Sequence, residues 1–335
     1  MNRVGIKDVA QRAGVSISTV SNALNKPGTV SAPLVERVTQ AATELGYVPL
    51  QAAQQLRARR SGLLGMTVIN IANPFFAELM AGAEEAAAAA GKRVLVGNSD
   101  DDAQKERDYI ELFERVHVEG ALIAPFADNA VAIERLRARG IPVVLVDSVD
   151  EEGALSSVSF DDVAGGRMAA EHLISLGRRR LAFLGAREEV RQVRERLRGV
   201  REAVAAHSGV ELDVIWTKRT TPDLGDSWGA RYAHSPALDR PDGVIATNDL
   251  LACGVVSALV SRGVRVPEDL AVIGYDDIEF ARVAAVPLTS IRQPARDMGR
   301  RAGEILLAHA AGSQERVAVS FSPTIIVRAS TVGVQ

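Results

Sequence analysis

Ile6-Lys7-Asp8-Val9-Ala10-Gln11-Arg12-Ala13-Gly14-Val15-Ser16-Ile17-Ser18-Thr19-Val20-Ser21-Asn22-Ala23-Leu24 decides how the N-terminus folds. Ile6, Val9, Ala10 and Ala13 recur at helical spacing and make one apolar face. Gly14 breaks that helix and Val15 turns the chain. Ser16 can accept from the backbone N–H groups of the next turn, so it caps a second helix over about 17–24. On that helix Val20 and Leu24 point inward. A third helix begins after Ser31, carries Pro33 in its first turn and buries Val35, Val38, Ala42 and Leu45. Gly46 ends it, where a left-handed residue is needed. Two short helices joined by a glycine turn, the second capped by serine, make a helix-turn-helix.

The charge distribution points the same way. Residues 1–60 hold eight Lys/Arg against three acids, yet the whole chain carries a net charge of −3. A basic head on an acidic body is the footprint of a chain that meets phosphate with one end. A solvated helical face is the alternative. The 335 residues allow two or three domains. With 47% apolar and 24% charged residues, the composition is that of an ordinary globular protein. No apolar run approaches the ~18 residues of a membrane span. The first residues lack the apolar core of a signal peptide. The single cysteine, Cys253, excludes an intrachain disulfide and a multi-cysteine metal site. A cytoplasmic location with no membrane partner is expected.

From Leu63 the rhythm changes. Leu63–Ile71, Arg93–Ser99, Gly120–Ala124 and Val143–Asp147 read as buried parallel strands, with helices over about 75–90, 102–115 and 130–139 between them. After Ser157–Phe160, further strands are expected near 180–184, 213–216, 243–246 and 271–275. Such alternation builds doubly wound parallel sheets. Asp147, Asn248 and Asp276 follow strands, at the carboxyl ends where ligands of open α/β sheets sit. Capping of the following helices is their alternative reading. No phosphate loop, Gly-x-Gly-x-x-Gly turn or nucleophile–base pair is present, and the five histidines are scattered. The clusters Asp100-Asp101-Asp102, Asp161-Asp162 and Asp276-Asp277 read as solvated loops and caps. No cofactor, metal site or catalytic residue is expected.

The N-terminal stretch, continued by Asn25 and by Leu45-Gly46-Tyr47-Val48-Pro49, resembles the head of the lactose-repressor (LacI/GalR) family of bacterial transcription regulators. Asn73-Pro74-Phe75-Phe76, Gly177-Arg178-Arg179-Arg180, Thr247-Asn248-Asp249 and Ile273-Gly274-Tyr275-Asp276 carry the resemblance through nearly the whole chain. The implied fold is a small all-α helix-turn-helix head plus an α/β, periplasmic-binding-protein-like body of two doubly wound parallel-sheet lobes. The implied domains are a head over 1–47, a hinge helix and linker over 48–60, and two lobes. The first lobe takes 61–160 with 291–322, the second 161–290 with 323–335, with crossovers near Asp161, Ile291 and Thr324. Ile17, Ser18 and Asn22 are implied to read bases, which suits their chemistry on thymine methyls and adenine edges. Thr19, Ser21, Asn25 and Ser31 are implied to hold phosphates. In the hinge, Ala53 and Leu56 would enter the minor groove, and Arg57 would meet flanking phosphates. Leu50 and Gly5 depart from the family pattern, since each stands where a better capping residue is usual.

The resemblance also implies a clamp for hydroxyls. Arg196, within Arg194-Glu195-Arg196-Leu197-Arg198-Gly199, joins Asp147, Asn248 and Asp276, with Phe75 and Phe76 as an apolar wall. Carboxylates, an amide and a guanidinium suit a sugar or sugar derivative as effector. Leu224 stands where relatives stack an aromatic ring, and Trp228 is a candidate substitute. Val190 stands where the purine-responsive relative has an arginine, which argues against a purine. The expected protein is a repressor and not an enzyme. It is a homodimer on a palindromic operator, because two heads on a palindrome need two-fold symmetry. A periplasmic binding protein is the alternative, having such a body but no such head.

Overall fold

The computed structural model describes residues 4–47 and 61–333. The expectations for Ala53, Leu56 and Arg57 lie outside the described residues. The chain divides into two compact units, a head up to Ser61 and a body from Gly62.

The head is built from α1 (Ile6–Ala13), α2 (Ile17–Asn25) and α3 (Ala32–Glu44). A single 3-10 turn, Pro27–Thr29, joins the last two, and no periodicity signalled it. Gly14 and Gly46 both adopt φ 65°, which only glycine reaches without steric cost. Each lets the next residue bond back into the helix it ends: Val15 N–H donates to Ala10 O at 3.0 Å, and Tyr47 N–H to Ala42 O at 2.8 Å. Ser16 Oγ accepts from Thr19 N–H at 3.1 Å. Gly5 offers no capping side chain to α1. The Asp8 carboxylate compensates by accepting from Gly5 N–H at 2.7 Å. Val9, Ala10, Ala13, Val20, Ala23, Val38, Ala41 and Ala42 form the buried core, with Leu24, Val35 and Leu45 at its margin.

The body begins with β1 (Leu63–Val68), α4 (Pro74–Ala89), β2 (Arg93–Asn98), α5 (Ala103–Arg115), β3 (Ala121–Ile123), α6 (Ala130–Ala138), β4 (Val143–Val146) and β5 (Ser156–Phe160). It continues with α7 (Asp162–Ser175), β6 (Arg180–Ala186), α8 (Arg191–Ala205), β7 (Glu211–Thr217), α9 (Pro222–His234), β8 (Gly243–Ala246), α10 (Asp249–Ser261) and β9 (Ala271–Asp276). Last come α11 (Glu279–Val283), β10 (Thr289–Arg292), α12 (Ala295–Ala310), β11 (Ala318–Phe321), β12 (Thr324–Ile326) and α13 (Ala329–Val332). Two six-stranded sheets result, ordered β11-β5-β4-β3-β1-β2 and β12-β10-β9-β8-β6-β7. Every pairing is parallel except β10 with β12, which is antiparallel. Each sheet carries helices on both faces: α4 and α12 against α5 and α6 in the first, α7 and α8 against α9 and α10 in the second.

The chain crosses between lobes after β5, after β10 and between β11 and β12. The second crossing falls later than the sequence suggested. Ile291 and Arg292 still pair with Tyr275 and Asp276 of β9, so they belong to the second lobe. The first lobe therefore takes the chain back at Gln293-Pro294, where proline removes the N–H that would extend the strand.

Three helix pairs meet at reciprocal glycines: Gly82 with Gly299 (α4 and α12), Gly166 with Gly199 (α7 and α8), and Gly225 with Gly254 (α9 and α10). A methyl group at any of the six would overlap a backbone carbonyl oxygen of the facing helix. The helices thus touch backbone to backbone, and side-chain packing alone does not set their spacing.

Candidate functional site

Helix α2 presents two faces. Val20 and Ala23 are buried against α1 and α3, while Ile17, Ser18 and Asn22 are exposed on the other side. Ile17 has 45% of its surface in solvent although it is a large aliphatic residue. Burial therefore offers no account of its presence. Ser18 Oγ lies 2.7 Å from Ser16 Oγ, and Thr19 Oγ1 lies 2.8 Å from the same oxygen. Ser21 is half-buried, Ser31 is exposed at the start of α3, and Asn25 is the last residue of α2.

In the body, a cavity of about 270 Å³ lies between the lobes at the carboxyl ends of the strands. Asp147, Arg196, Asn248, Asp276, Phe75 and Phe76 all line it, though they come from five different elements or their ends. Seven described non-glycine residues have positive φ. Six of these, Asp100, Asp101, Asp147, Arg187, Asp276 and Asp277, lie at the ends of β2, β4, β6 and β9, and four of the six, Asp101, Asp147, Arg187 and Asp276, line this cavity. Left-handed backbone at a non-glycine residue costs about 1–3 kcal/mol and persists where the surroundings enforce it. Here it turns side chains inward that an ordinary strand end would pass by.

Arg196 is buried and fully engaged on one edge. Its Nε donates to Asp162 Oδ1 at 2.9 Å and its Nη1 to Thr247 O at 2.5 Å. Its guanidinium carbon lies 3.7 Å from the centre of the Tyr275 ring. Burial pulls the guanidinium pKa down, but Asp162 and its neighbours Asp276 and Asp147 outweigh burial and raise it, so it stays charged. Asp276 is held by two amides, Asn73 Nδ2 at 2.9 Å and Gln293 Nε2 at 2.8 Å. Gln192 Nε2 donates to the Asp147 carbonyl at 2.7 Å and to its Oδ2 at 2.9 Å. Asn248 does two things: its Oδ1 caps α10 by accepting from Leu251 N–H at 2.9 Å, and its Nδ2 donates to Thr220 O at 3.3 Å. The capping alternative therefore holds for Asn248 alongside its place on the wall. Asp147 and Asp276 bond no helix N-terminus.

Asn73, Gln192 and Gln293 escaped the sequence reading. Gln192 was within reach, because it precedes Arg196 by four residues and so shares its helix face. Asn73 caps α4, accepting from Phe75 N–H at 3.1 Å. Only the fold brings its amide to Asp276. Trp228 does not replace the absent aromatic of the wall. It is 5% exposed and packs in the second lobe's core against Tyr232, with Leu224 beside that core. Of the other arginines of α8, Arg194 and Arg198 pair with Glu195 and Arg201 with Glu188, while Arg191 Nη1 lies 3.5 Å from Asp162 Oδ2, beside Arg196. Among the described residues, no cluster of three or more His, Cys, Asp or Glu is placed to hold a metal ion. No helix there is long and apolar enough to cross a membrane.

Burial pushes Asp147 up to about 7, with the nearby Asp162 charge adding to the rise. Burial likewise pushes Asp276 up to about 6, against the pull of Arg196. Both groups hold protons in the folded state that the unfolded chain, at an ordinary value of 3.8, has released. Their stabilising contribution is complete below that value and is lost as pH rises through about 6 and 7. Asp147→Asn should accordingly flatten the loss of stability between pH 3.8 and about 7. Urea unfolding across that window checks it, and an unchanged slope would mean that Asp147 titrates normally.

A helix-turn-helix head with an exposed reading face, and a two-lobed α/β body with a polar cleft, define a DNA-binding regulator with a small-molecule chamber. Comparison with known proteins agrees. Residues 5–50 match the family described as bacterial regulatory proteins, lacI family, and residues 170–331 match the periplasmic binding protein-like domain. The ribose operon repressor of Bacillus subtilis is 38% identical over 90% of this chain and 90% of its own. The chain therefore belongs to the lacI family of bacterial regulatory proteins, which are DNA-binding transcription regulators and not enzymes. Two solved structures extend the likeness to nearly the full length. The lac repressor dimer bound to operator and an anti-inducer is 27% identical, covering 99% of this chain and 100% of that one, with a TM-score of 0.83. The complex of the transcriptional regulator CelR with cellobiose is 31% identical, covering 98% and 100%, with a TM-score of 0.71.

Proposed function

We propose that this protein is a cytoplasmic, homodimeric repressor whose operator affinity is set by a small sugar-like effector bound between the lobes. The observation that carries the effector reading is the set of buried polar atoms left without partners. Asp147 Oδ1, Gln192 Oε1, Thr247 Oγ1 and Gln293 Oε1 bond nothing within the protein. All four residues line the cavity. A buried, unbonded polar atom costs about 1–3 kcal/mol, so four in one wall call for a ligand to satisfy them. The two glutamine oxygens accept only, and Asp147 Oδ1 accepts once its carboxyl is ionised, which suits a ligand rich in hydroxyls. The sugar complex of one relative and the operator-bound dimer of another are consistent with this reading. A thermal-shift screen of monosaccharides and disaccharides tests it, because a ligand at 100 times its dissociation constant adds about 2.7 kcal/mol. A screen in which no sugar or sugar derivative raises the melting temperature would refute it.

In the head, Ile17, Ser18 and Asn22 read base edges from the major groove, and Thr19, Ser21, Asn25 and Ser31 face phosphates. The exposed Asn22 and Ile17 support this assignment. The proposed boundaries are a head over 1–47, a hinge and linker over 48–60, and two lobes exchanging the chain near 161, 293 and 323. Asn22→Ala should cost about 1–3 kcal/mol against the preferred operator and relax specificity at one base pair per half-site. Gel shifts on the protein's own promoter and on single-base operator variants measure this. Equal weakening on every variant would make Asn22 a phosphate contact instead.

A further inference from the structure

Arg187 and Lys218 stand side by side at the rim of the cavity. Ala186 and Thr217 are register partners at the carboxyl ends of the parallel strands β6 and β7, and each cation is the residue that follows. Adjacent strands lie about 4.8 Å apart, so the two cationic residues leave neighbouring strand ends. Both side chains line the cavity. Two like charges on one rim repel, and neither is paired with a carboxylate among the described residues. Lys218 makes no hydrogen bond or ion pair with any described residue. Nor does the Arg187 side chain bond or pair with any described residue; its guanidinium carbon lies 5.4 Å from the centre of the Phe126 ring. Its backbone is left-handed, at φ 54°, a strained conformation that a purely solvated arginine does not require.

Other cations of the cleft show what a satisfied one looks like. Arg219, next along the chain, bonds Asp100 Oδ1 at 2.5 Å and Asp101 Oδ2 at 2.9 Å across the lobes. Arg196 has Asp162. Glu188, the carboxylate adjacent to Arg187, is taken by Arg201 at 3.6 Å. Among the described residues lining the cavity, Arg187 and Lys218 are thus the cations without a carboxylate partner. The acceptors Asp147 Oδ1, Gln192 Oε1 and Gln293 Oε1 lie elsewhere on its wall and would repel an anion.

We propose that the effector is an anionic sugar derivative, its hydroxyls donating to the acceptors of the wall and its carboxylate or phosphate seated on Arg187 and Lys218. This rests on the reading of the cleft as a sugar-effector site. Guanidinium and ammonium groups bind either anion through charge-assisted hydrogen bonds.

The test titrates the full-length protein with matched sets: D-ribose, D-ribonate and D-ribose 5-phosphate, then D-glucose, D-gluconate and D-glucose 6-phosphate. Calorimetry or tryptophan fluorescence reads the binding. At least one anionic compound should bind more than about tenfold tighter than its neutral parent, and added salt should erode that preference. The aldonates and the phosphates separate the two kinds of anion. In Arg187→Gln/Lys218→Gln the ratio of anionic to neutral affinity should collapse toward one. Both side chains are exposed, so the variant should melt with the parent protein. Neutral sugars binding as tightly as their anionic partners, or a preference that survives in the double variant, overturns the proposal and leaves the sugar reading standing. If no member of either set binds, the anionic proposal falls, and the sugar reading is decided by the wider thermal-shift screen.

Discussion

Arg196→Ala is expected to abolish the response to effector and, in addition, to lower the stability of the body by about 3–5 kcal/mol. The second effect follows from what Arg196 holds when the cleft is empty. It is 7% exposed and pairs with Asp162, which is 1% exposed. Removing the guanidinium leaves that carboxylate with only a long bond from Tyr275 Oη, at 3.4 Å, because Arg191 Nη1 is 3.5 Å from the other oxygen and makes no hydrogen bond. The carbonyl of Thr247 loses its donor, and the face of Tyr275 loses its cation. For a unit of this size the melting temperature should fall by roughly 10 °C. The double variant Arg196→Ala/Asp162→Asn separates the two roles. Neutralising Asp162 removes the buried charge, so stability should partly return while the effector response stays lost. The head is a separate unit with its own core, so operator binding without effector should persist below the new melting point. Arg196→Lys should retain the charge but not the response, since an ammonium cannot hold Asp162 and Thr247 with a fixed fork. A double variant that still responds to effector would reduce Arg196 to a structural residue. An Arg196→Ala protein melting with the parent would show that Asp162 does not need it.

Much of this was legible in the sequence because it depends on local rules. Glycine at the ends of α1 and α3, serine before α2 and the alternation of buried strands with helices each act within a few residues. The residues at strand ends were also legible, since a doubly wound sheet places its ligand there whatever the side chains are. What stayed hidden is what the fold brings together across long stretches of chain. Asn73 meets Asp276, Gln192 meets Asp147, and Arg219 meets Asp100 and Asp101, all between the two lobes. No periodicity encodes such meetings. The six helix glycines were hidden for another reason. Within a single helix a glycine reads only as a weakness of about 1 kcal/mol, and its purpose appears only when the facing helix is in place. The crossing falls at Gln293, two residues later than expected, because β10 keeps its pairing with β9 through Arg292, a partnership that no local pattern marks.

Those glycines yield the other large effect. Gly199→Ala should destabilise the body by about 3 kcal/mol or more and weaken the effector more than tenfold. A methyl at Gly199 would overlap the Val163 carbonyl oxygen and press on Arg167 N–H, both in the backbone of α7. A helical carbonyl cannot swing aside without giving up its own hydrogen bond, so α8 has to move outward. Gly166 opposes that relief from the other side, since it lies against the Arg196 carbonyl and marks the same close crossing. Helix α8 carries Gln192 and Arg196 on one face, and their bonds to Asp147, Asp162 and Thr247 lie within 2.5–2.9 Å. An outward shift of about 1 Å breaks bonds of that length. The Gly299→Ala variant is the control, because it makes the same overlap with the Leu79 carbonyl in the first lobe. Helix α12, on which it lies, contributes no side chain to the cavity. Both variants should unfold at lower urea concentration than the parent. Measured well below their melting points, only Gly199→Ala should show the large loss of effector affinity. Equal losses in both would mean that general loosening of the body is responsible. A Gly199→Ala protein with the parent's affinity would mean that α8 can tilt about this crossing without carrying Arg196 out of the site.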